Sequence, residues 1–172
     1  MSLASSATPA PPITEAQITH SCLFAMPHDR APFLAAVTRQ LGTARRYGMQ
    51  PAVLVIAVDS AGDQFAPGSA LQQDLMQLMR EPLQRHLRRA DLLLQIDANR
   101  FGVLLADALP TAVAGICARL ERPSDWPTQV LGCPLSLRVR AGASTTPGGS
   151  STWMEAADLL NAAEQALRAR TS

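Results

Sequence analysis

One uninterrupted apolar run, Ala52-Val53-Leu54-Val55-Ile56-Ala57-Val58, limits the folds open to this chain. The run is rich in β-branched residues, which favour a strand. The run contains no polar residue, so neither face of the strand is suited to contact with water. A strand of this kind is covered on both faces of its sheet. The rest of the chain therefore has to supply helices to cover it, which predicts an α/β architecture.

The segments around this run predict the other elements. The predicted helices are residues 14–24, 29–47, 69–89 and 111–121, and a C-terminal helix that opens at a Thr152–Glu155 capping box. The predicted strands are residues 52–58, 92–96, 101–106 and 135–141. Gly48 should stop the second helix, and Pro82 should kink or split the third.

The order of these elements predicts one domain. Residues 97–100 contain Asp and Asn, which suit a tight turn between two strands, while residues 122–134 hold three prolines and predict an irregular connection. We therefore expect a single α/β domain over residues 13–172, with a mixed central sheet that contains a β-hairpin and is flanked by helices. Residues 1–12 are small, polar and proline-rich, which predicts a flexible tail.

Composition excludes several classes of function. The 172 residues carry a formal net charge of +1, which argues against bulk binding to nucleic acid or to an anionic membrane. Neither a secretory signal nor an apolar stretch long enough for a membrane span is present, so a cytoplasmic location is expected. The three cysteines and three histidines lack the spacing of a metal or redox site, so no metal and no cofactor is predicted.

Residues 88–101 combine an Arg-x-x-Asp unit, Arg88 and Asp91, with a short loop that begins at Asp97. Together with the element order, this stretch resembles the GGDEF, or diguanylate cyclase, family over residues 23–170. The resemblance rests on five segments: a degenerate opening motif at residues 23–30, the residues before the first strand (Arg45-Arg46-Tyr47-Gly48), the strand after the signature loop (residues 101–105), Arg140-Ala141-Gly142-Ala143, and the closing helix (residues 163–170). The resemblance implies the family's α/β fold.

The resemblance also implies that the catalytic features are lost. The family's metal-binding aspartate on the first strand is replaced by Ala57, and only the second aspartate, Asp59, remains. In the signature loop, Asp97-Ala98 replaces the paired glycines and Asn99-Arg100 replaces the acidic residues. The guanine-reading Asn-Asp has no counterpart in residues 62–68, and the closing lysine is Arg170. Because metal ions are needed to condense two GTP molecules, we expect no cyclase activity and no catalytic residue.

The sequence matches the family's inhibitory site for its product, cyclic di-GMP, better than it matches the catalytic site. That site uses Arg-x-x-Asp five residues before the signature loop, which here is Arg88 and Asp91, and a second arginine that corresponds to Arg119. Arginine can bond guanine O6 and N7, and a carboxylate can accept from the guanine N–H edge. Arg85 and Arg89 lie one helical turn apart and complete the predicted set as phosphate contacts, with a solvated helix face as the alternative.

The sequence therefore predicts a non-enzymatic receptor for cyclic di-GMP. Such a receptor would act on an unidentified protein partner or by forming a homo-oligomer, and the resemblance implies control of biofilm, exopolysaccharide such as cellulose, or motility. Two alternatives stay open. The domain could be a scaffold that binds no nucleotide, with Arg88 and Asp91 a surface ion pair, or it could retain GTP or GDP in the old active-site groove.

Overall fold

A computed structural model of the protein describes residues 29–122, 126–146 and 154–170. The helices are α1 (Ala31–Tyr47), α2 (Ala70–Arg85), α3 (Pro110–Leu120) and α4 (Ala156–Ala169), with one 3₁₀ turn at Asp63–Phe65. The strands are β1 (Ala52–Ser60), β2 (Leu92–Asp97), β3 (Arg100–Leu105), β4 (Gln129–Val130), β5 (Cys133–Pro134) and β6 (Leu137–Thr145).

Four of the strands form the central sheet in the order β2-β3-β1-β6. All three of its strand pairs are antiparallel, which makes it more uniform than the mixed sheet expected from the sequence. β2 and β3 form the predicted hairpin, with Ala98-Asn99 as its turn. β4 and β5 form a separate two-stranded hairpin.

The apolar run in β1 separates two hydrophobic cores. Leu54 and Ile56 belong to the core beneath α2 and α3, whereas Val53 and Val55 belong to the core beneath α1 and α4. All four side chains are fully buried. The expectation that this strand is covered on both faces is confirmed, and so is the α/β class with flanking helices.

The structure differs from the sequence prediction in α2, within residues 122–134 and at the start of α4. α2 is not split at Pro82 but ends at Arg85, before the predicted Arg89. β4 and β5 lie within the segment predicted to be irregular. α4 begins at Ala156, with a capping box formed by Glu155 and Asp158, whereas Thr152 of the predicted box lies outside the described residues.

Some sequence predictions lie outside the described residues. These are the tail over residues 1–12, the helix over residues 14–24 and the opening motif up to residue 28. Within the described part of the chain, no helix combines the length and the apolar character needed to cross a membrane.

Candidate functional site

The predicted Arg-x-x-Asp unit forms a closed turn between α2 and β2. The main-chain N–H of Arg88 donates to Oδ2 of Asp91 at 2.8 Å. In return, the main-chain N–H of Asp91 donates to the carbonyl oxygen of Arg88 at 3.0 Å. A side-chain acceptor three residues away offers the backbone an alternative to the helix, which explains why α2 stops before this unit.

Arg119 lies beside this turn. Its Nη2 donates to the carbonyl oxygen of His86 at 3.2 Å, across 33 positions of sequence. His86 is the C-cap of α2 and lies two residues before Arg88. The last turn of α3 therefore brings Arg119 to the segment that carries Arg88 and Asp91.

The other two predicted arginines are placed differently. Arg85 ends α2 and forms an ion pair with Glu81 at 2.6 Å, so its guanidinium is already engaged. Arg89 is at the exposed tip of the turn. Among the described residues, the structure gives the side chains of Arg88 and Arg89 no hydrogen bond or ion pair, so both can turn toward an anion.

Near the turn of the β2–β3 hairpin, Arg140 forms an ion pair with Asp59, the acidic residue of β1. Nη2 of Arg140 lies 2.6 Å from Oδ2 of Asp59, and the side-chain amide of Asn99 donates to Oδ1 of Asp59 at 3.2 Å. Both carboxylate oxygens of Asp59 are thus occupied by protein groups. A cation at this position would have to displace a guanidinium.

The strand register adds a second cation here. Ala57 in β1 is directly opposite Arg100 in β3 and directly opposite Arg140 in β6. Residues opposite each other in antiparallel strands share one face of the sheet. The small side chain of Ala57 is therefore flanked by two arginines, on the face covered by α1 and α4.

A buried carboxylate pairs with Arg100 and with Arg30. Glu164 of α4 is only 7% exposed, and its Oε1 lies 2.9 Å from Nη2 of Arg30 and 3.6 Å from Nη1 of Arg100. Arg30 also lies 3.5 Å from Oδ2 of Asp97 in the hairpin. Ion pairs therefore link the hairpin to α4 and to the start of α1.

These contacts do not fit a divalent metal. No group of three or more His, Cys, Asp or Glu side chains that could hold an ion occurs among the described residues. Asp59, the acidic residue of β1, is paired with Arg140. The chemistry of this region is that of a closed ion-pair network.

Arg170 is also held by protein groups. Its Nη1 donates to Oε1 of Glu121 at 2.7 Å and to the carbonyl oxygen of Ala141 at 2.9 Å. The main-chain N–H of Ala141 donates to the same Oε1 at 2.9 Å. Arg170 thus joins the end of α4 to β6 and to the end of α3.

Sequence reasoning missed Glu164 and Glu121. Glu164 could have been found, because it follows Leu160 by four residues and precedes Leu167 by three, on the apolar face of α4. A charged residue in such a stripe is buried only when it is paired. Glu121 carries no comparable signal, since its partner Arg170 is 49 positions away.

Comparisons with known proteins bear on the fold. Neither the scan against protein-family models nor the search of curated proteins gave a match. Among solved structures, the GGDEF domain of YfiN (TpbB) from Pseudomonas aeruginosa is similar, with 27% identity and a TM-score of 0.63 over 84% of this chain and 85% of that chain.

Two further structures are similar at lower identity. Diguanylate cyclase SiaD of Pseudomonas aeruginosa, in complex with its activator SiaC, has 16% identity and a TM-score of 0.69, covering 91% of this chain but only 61% of that one. The GGDEF domain of DgcB from Caulobacter crescentus, in complex with c-di-GMP, has 14% identity and a TM-score of 0.65, over 83% of this chain and 82% of that chain. The chain therefore has the fold of the GGDEF domains of diguanylate cyclases.

Proposed function

We propose that this domain is a non-catalytic receptor for cyclic di-GMP and that Arg88, Asp91 and Arg119 form its binding site. The observation that carries the proposal is the hydrogen bond from Arg119 to the carbonyl of His86, because it brings the second arginine to the Arg-x-x-Asp turn. The c-di-GMP complex of the similar DgcB domain supports the choice of ligand class.

The chemistry of the three side chains supports a guanine nucleotide. The exposed guanidinium of Arg88 can donate two parallel bonds to O6 and N7 of a guanine. Oδ2 of Asp91 is engaged by the turn, while Oδ1 is a second acceptor for the guanine N–H edge. The guanidinium of Arg119 adds positive charge and a flat stacking surface. Arg89 supplies a further cation for phosphate.

The ion pairs at the other end of the hairpin support the lack of catalysis. Condensing two GTP molecules requires metal ions that neutralise phosphate charge and activate a hydroxyl. Here Arg140 is bonded to Asp59, and Arg100 is paired with Glu164. With the acidic side chains neutralised by arginines, the domain would bind the dinucleotide without producing it. It would then act through a protein partner or through oligomers.

Calorimetric titration with cyclic di-GMP tests the proposal. We expect saturable binding to the unaltered protein and a loss of about fivefold to 150-fold in affinity for Arg88→Ala, the range for one bidentate arginine–guanine contact. Arg168→Ala is the matched control, because this exposed arginine lies on α4, which contributes none of the proposed binding residues. It should bind like the unaltered protein.

The same instrument separates the alternatives. No heat with cyclic di-GMP would favour a scaffold that works through protein contacts alone. Binding that Arg88→Ala leaves unchanged would overturn the site. A second titration uses GTP with Mg²⁺, followed by chromatography of the products, and any cyclic di-GMP formed would overturn the non-catalytic role.

A further inference from the structure

The last turn of α3 contacts two different parts of the domain. Arg119 donates to the carbonyl oxygen of His86 at the end of α2, at 3.2 Å. Two residues later, Oε1 of Glu121 accepts from the main-chain N–H of Ala141 in β6 at 2.9 Å and from Arg170 at 2.7 Å. One helical turn therefore connects the proposed nucleotide site to the end of α4.

Glu121, Ala141 and Arg170 form a closed set of contacts, which we call the clasp. Arg170 also donates to the carbonyl oxygen of Ala141 at 2.9 Å, so side chains bond both the N–H and the C=O of this edge residue. Ala141 is fully buried, whereas the side chains of Glu121 and Arg170 are 26% and 51% exposed. Because both side chains reach water, the clasp can open without unpacking the core.

The backbone couples Arg119 closely to Glu121. The main-chain N–H of Glu121 donates to the carbonyl oxygens of both Cys117 and Arg119. The N–H of Arg122 also donates to the carbonyl oxygen of Arg119, at 3.3 Å. Short-range and shared bonds of this kind tighten the end of a helix. A restraint on Arg119 is therefore passed to Glu121.

We propose that cyclic di-GMP bound at Arg119 keeps the clasp closed and that the clasp opens more often when the site is empty. The inference rests on the proposed function and adds a regulated surface to it. Opening uncovers the main-chain N–H and C=O of Ala141 at the outer edge of β6. Unpaired groups on an edge strand can pair with another chain, so the nucleotide controls access to this edge.

The ordering of Arg119 explains the direction of the effect. In the free domain, the bond from Arg119 to His86 holds the last turn of α3 toward α2. A nucleotide that binds the same guanidinium restricts this turn further, so Glu121 loses less freedom when it bonds Ala141 and Arg170. Coupling between two sites is reciprocal, so an open clasp must weaken nucleotide binding by the same factor.

Hydrogen exchange of the Ala141 amide, followed by NMR, tests the coupling without nucleotide. Glu121 bonds this amide, so its exchange follows the opening of the clasp. Arg119→Ala should speed the exchange about twofold or more, within the effect of losing one hydrogen bond. Arg88→Ala changes the same proposed site outside α3 and should leave the rate unchanged. The next amide, of Gly142, faces β1 and is the internal reference.

The nucleotide tests the same coupling from the other side. Bound cyclic di-GMP should slow the exchange of the Ala141 amide. In calorimetric titration, Arg170→Gln should lower the affinity about fivefold, the lower end of the range for coupled sites. Arg168→Gln is the matched control, because it removes the same charge from the last turn of α4 without altering the clasp. It should bind like the unaltered protein.

The outcomes separate this inference from the proposed function. If the protein binds cyclic di-GMP but the Ala141 amide exchanges equally fast with and without it, the receptor stands and the inference is overturned. Unchanged exchange in Arg119→Ala, or equal losses of affinity in Arg170→Gln and Arg168→Gln, would overturn it as well. If no cyclic di-GMP binds, the proposed function fails, and faster exchange in Arg119→Ala would still support the coupling of Arg119 to the clasp.

Discussion

The guanidinium of Arg119 lies 3.2 Å from the carbonyl oxygen of His86, and this hydrogen bond ties the last turn of α3 to the end of α2. It joins two elements that the β2–β3 hairpin separates along the chain. Arg119 is thereby held next to the turn closed by Arg88 and Asp91. The proposed binding site depends on this relationship.

Replacing Arg119 should affect ligand binding more than folding. Arg119→Ala removes one exposed hydrogen bond, which contributes about 0.5–1.5 kcal/mol to stability. We expect the affinity for cyclic di-GMP to fall about tenfold or more, because a charged contact to the nucleotide is lost as well. Arg119→Lys keeps the charge without the planar fork. Titration calorimetry and urea unfolding of both variants measure the two effects. An unchanged affinity in Arg119→Ala would remove this residue from the site.

Gly142 should tolerate no side chain. A Cβ built there would lie 2.3 Å from the main-chain nitrogen of Leu167 and 2.4 Å from the carbonyl oxygen of Ala163, so α4 would have to move away from β6. We expect Gly142→Ala to cost about 3 kcal/mol or more in the free energy of unfolding, beyond the usual range for overpacking, because the obstructing atoms are backbone.

Gly115 provides the matched control. It lies in α3, and a Cβ built there would meet nothing within 4 Å. Gly115→Ala should raise stability by about 0.4–1 kcal/mol, since alanine restricts the unfolded chain and suits a helix. Urea unfolding of the two variants provides the comparison. Equal effects of both substitutions would contradict the close packing of α4 on β6.

The ion pair between Asp59 and Arg140 should make the hairpin end stable without metal. Their 2.6 Å contact is partly buried, so Asp59→Asn should cost about 1–2 kcal/mol of stability. Millimolar Mg²⁺ should leave the melting temperature of the unaltered protein unchanged, because a ligand raises stability only when it binds the folded state. A clear rise in melting temperature with Mg²⁺ would show that a metal ion binds the folded protein, contrary to this prediction.

Cys117 should be an unreactive thiol at neutral pH. Burial raises the pKa of the Cys117 thiol, and the nearby positive charge of Arg170 only partly opposes this shift. The reactive thiolate fraction is therefore reduced, and it should grow only as the pH rises beyond the ordinary range for a thiol. Alkylation of single-cysteine variants against pH should show Cys117 reacting more slowly than the half-buried Cys133. Equal rates in the folded protein would contradict this, and equal rates in urea are the control.

The large elements were predictable because their signals are local. The apolar run in β1 and the periodic stripe of α1 each predict an element within a few residues of its observed bounds. β4 and β5 could not be predicted, since two-residue strands have no periodicity. The end of α2 was placed four residues late, because the bond between Arg88 and Asp91 competes with the helix.

The contacts of the candidate site likewise differ in how far apart in sequence their residues lie. The bond from the main-chain N–H of Arg88 to Asp91 spans only three residues, whereas the alternative of an ion pair between the two side chains is not found among the described residues. Arg119 was assigned to the site only through the family resemblance, and nothing in the sequence predicts its bond to His86. The ion pairs of Asp59 with Arg140 and of Glu121 with Arg170 join residues 81 and 49 positions apart. Such contacts depend on the packing of the whole domain.

Asp91→Asn separates a ligand contact from a structural role. The asparagine oxygen can still accept from the N–H of Arg88, so the turn should remain closed and the stability should change little. The group that replaces the second carboxylate oxygen is an NH₂, which donates hydrogen bonds and would face the guanine N–H donors without an acceptor. Asp91→Ala, in contrast, removes the acceptor for Arg88 and should weaken the turn as well.

Titration calorimetry of the Asp91→Asn protein with cyclic di-GMP, together with its melting temperature, tests whether the Asp91 carboxylate binds the nucleotide. We expect a native melting temperature and an affinity at least about tenfold below that of the unaltered protein, the effect of leaving buried donors unpaired. Unaltered affinity in a natively folded Asp91→Asn protein would contradict it.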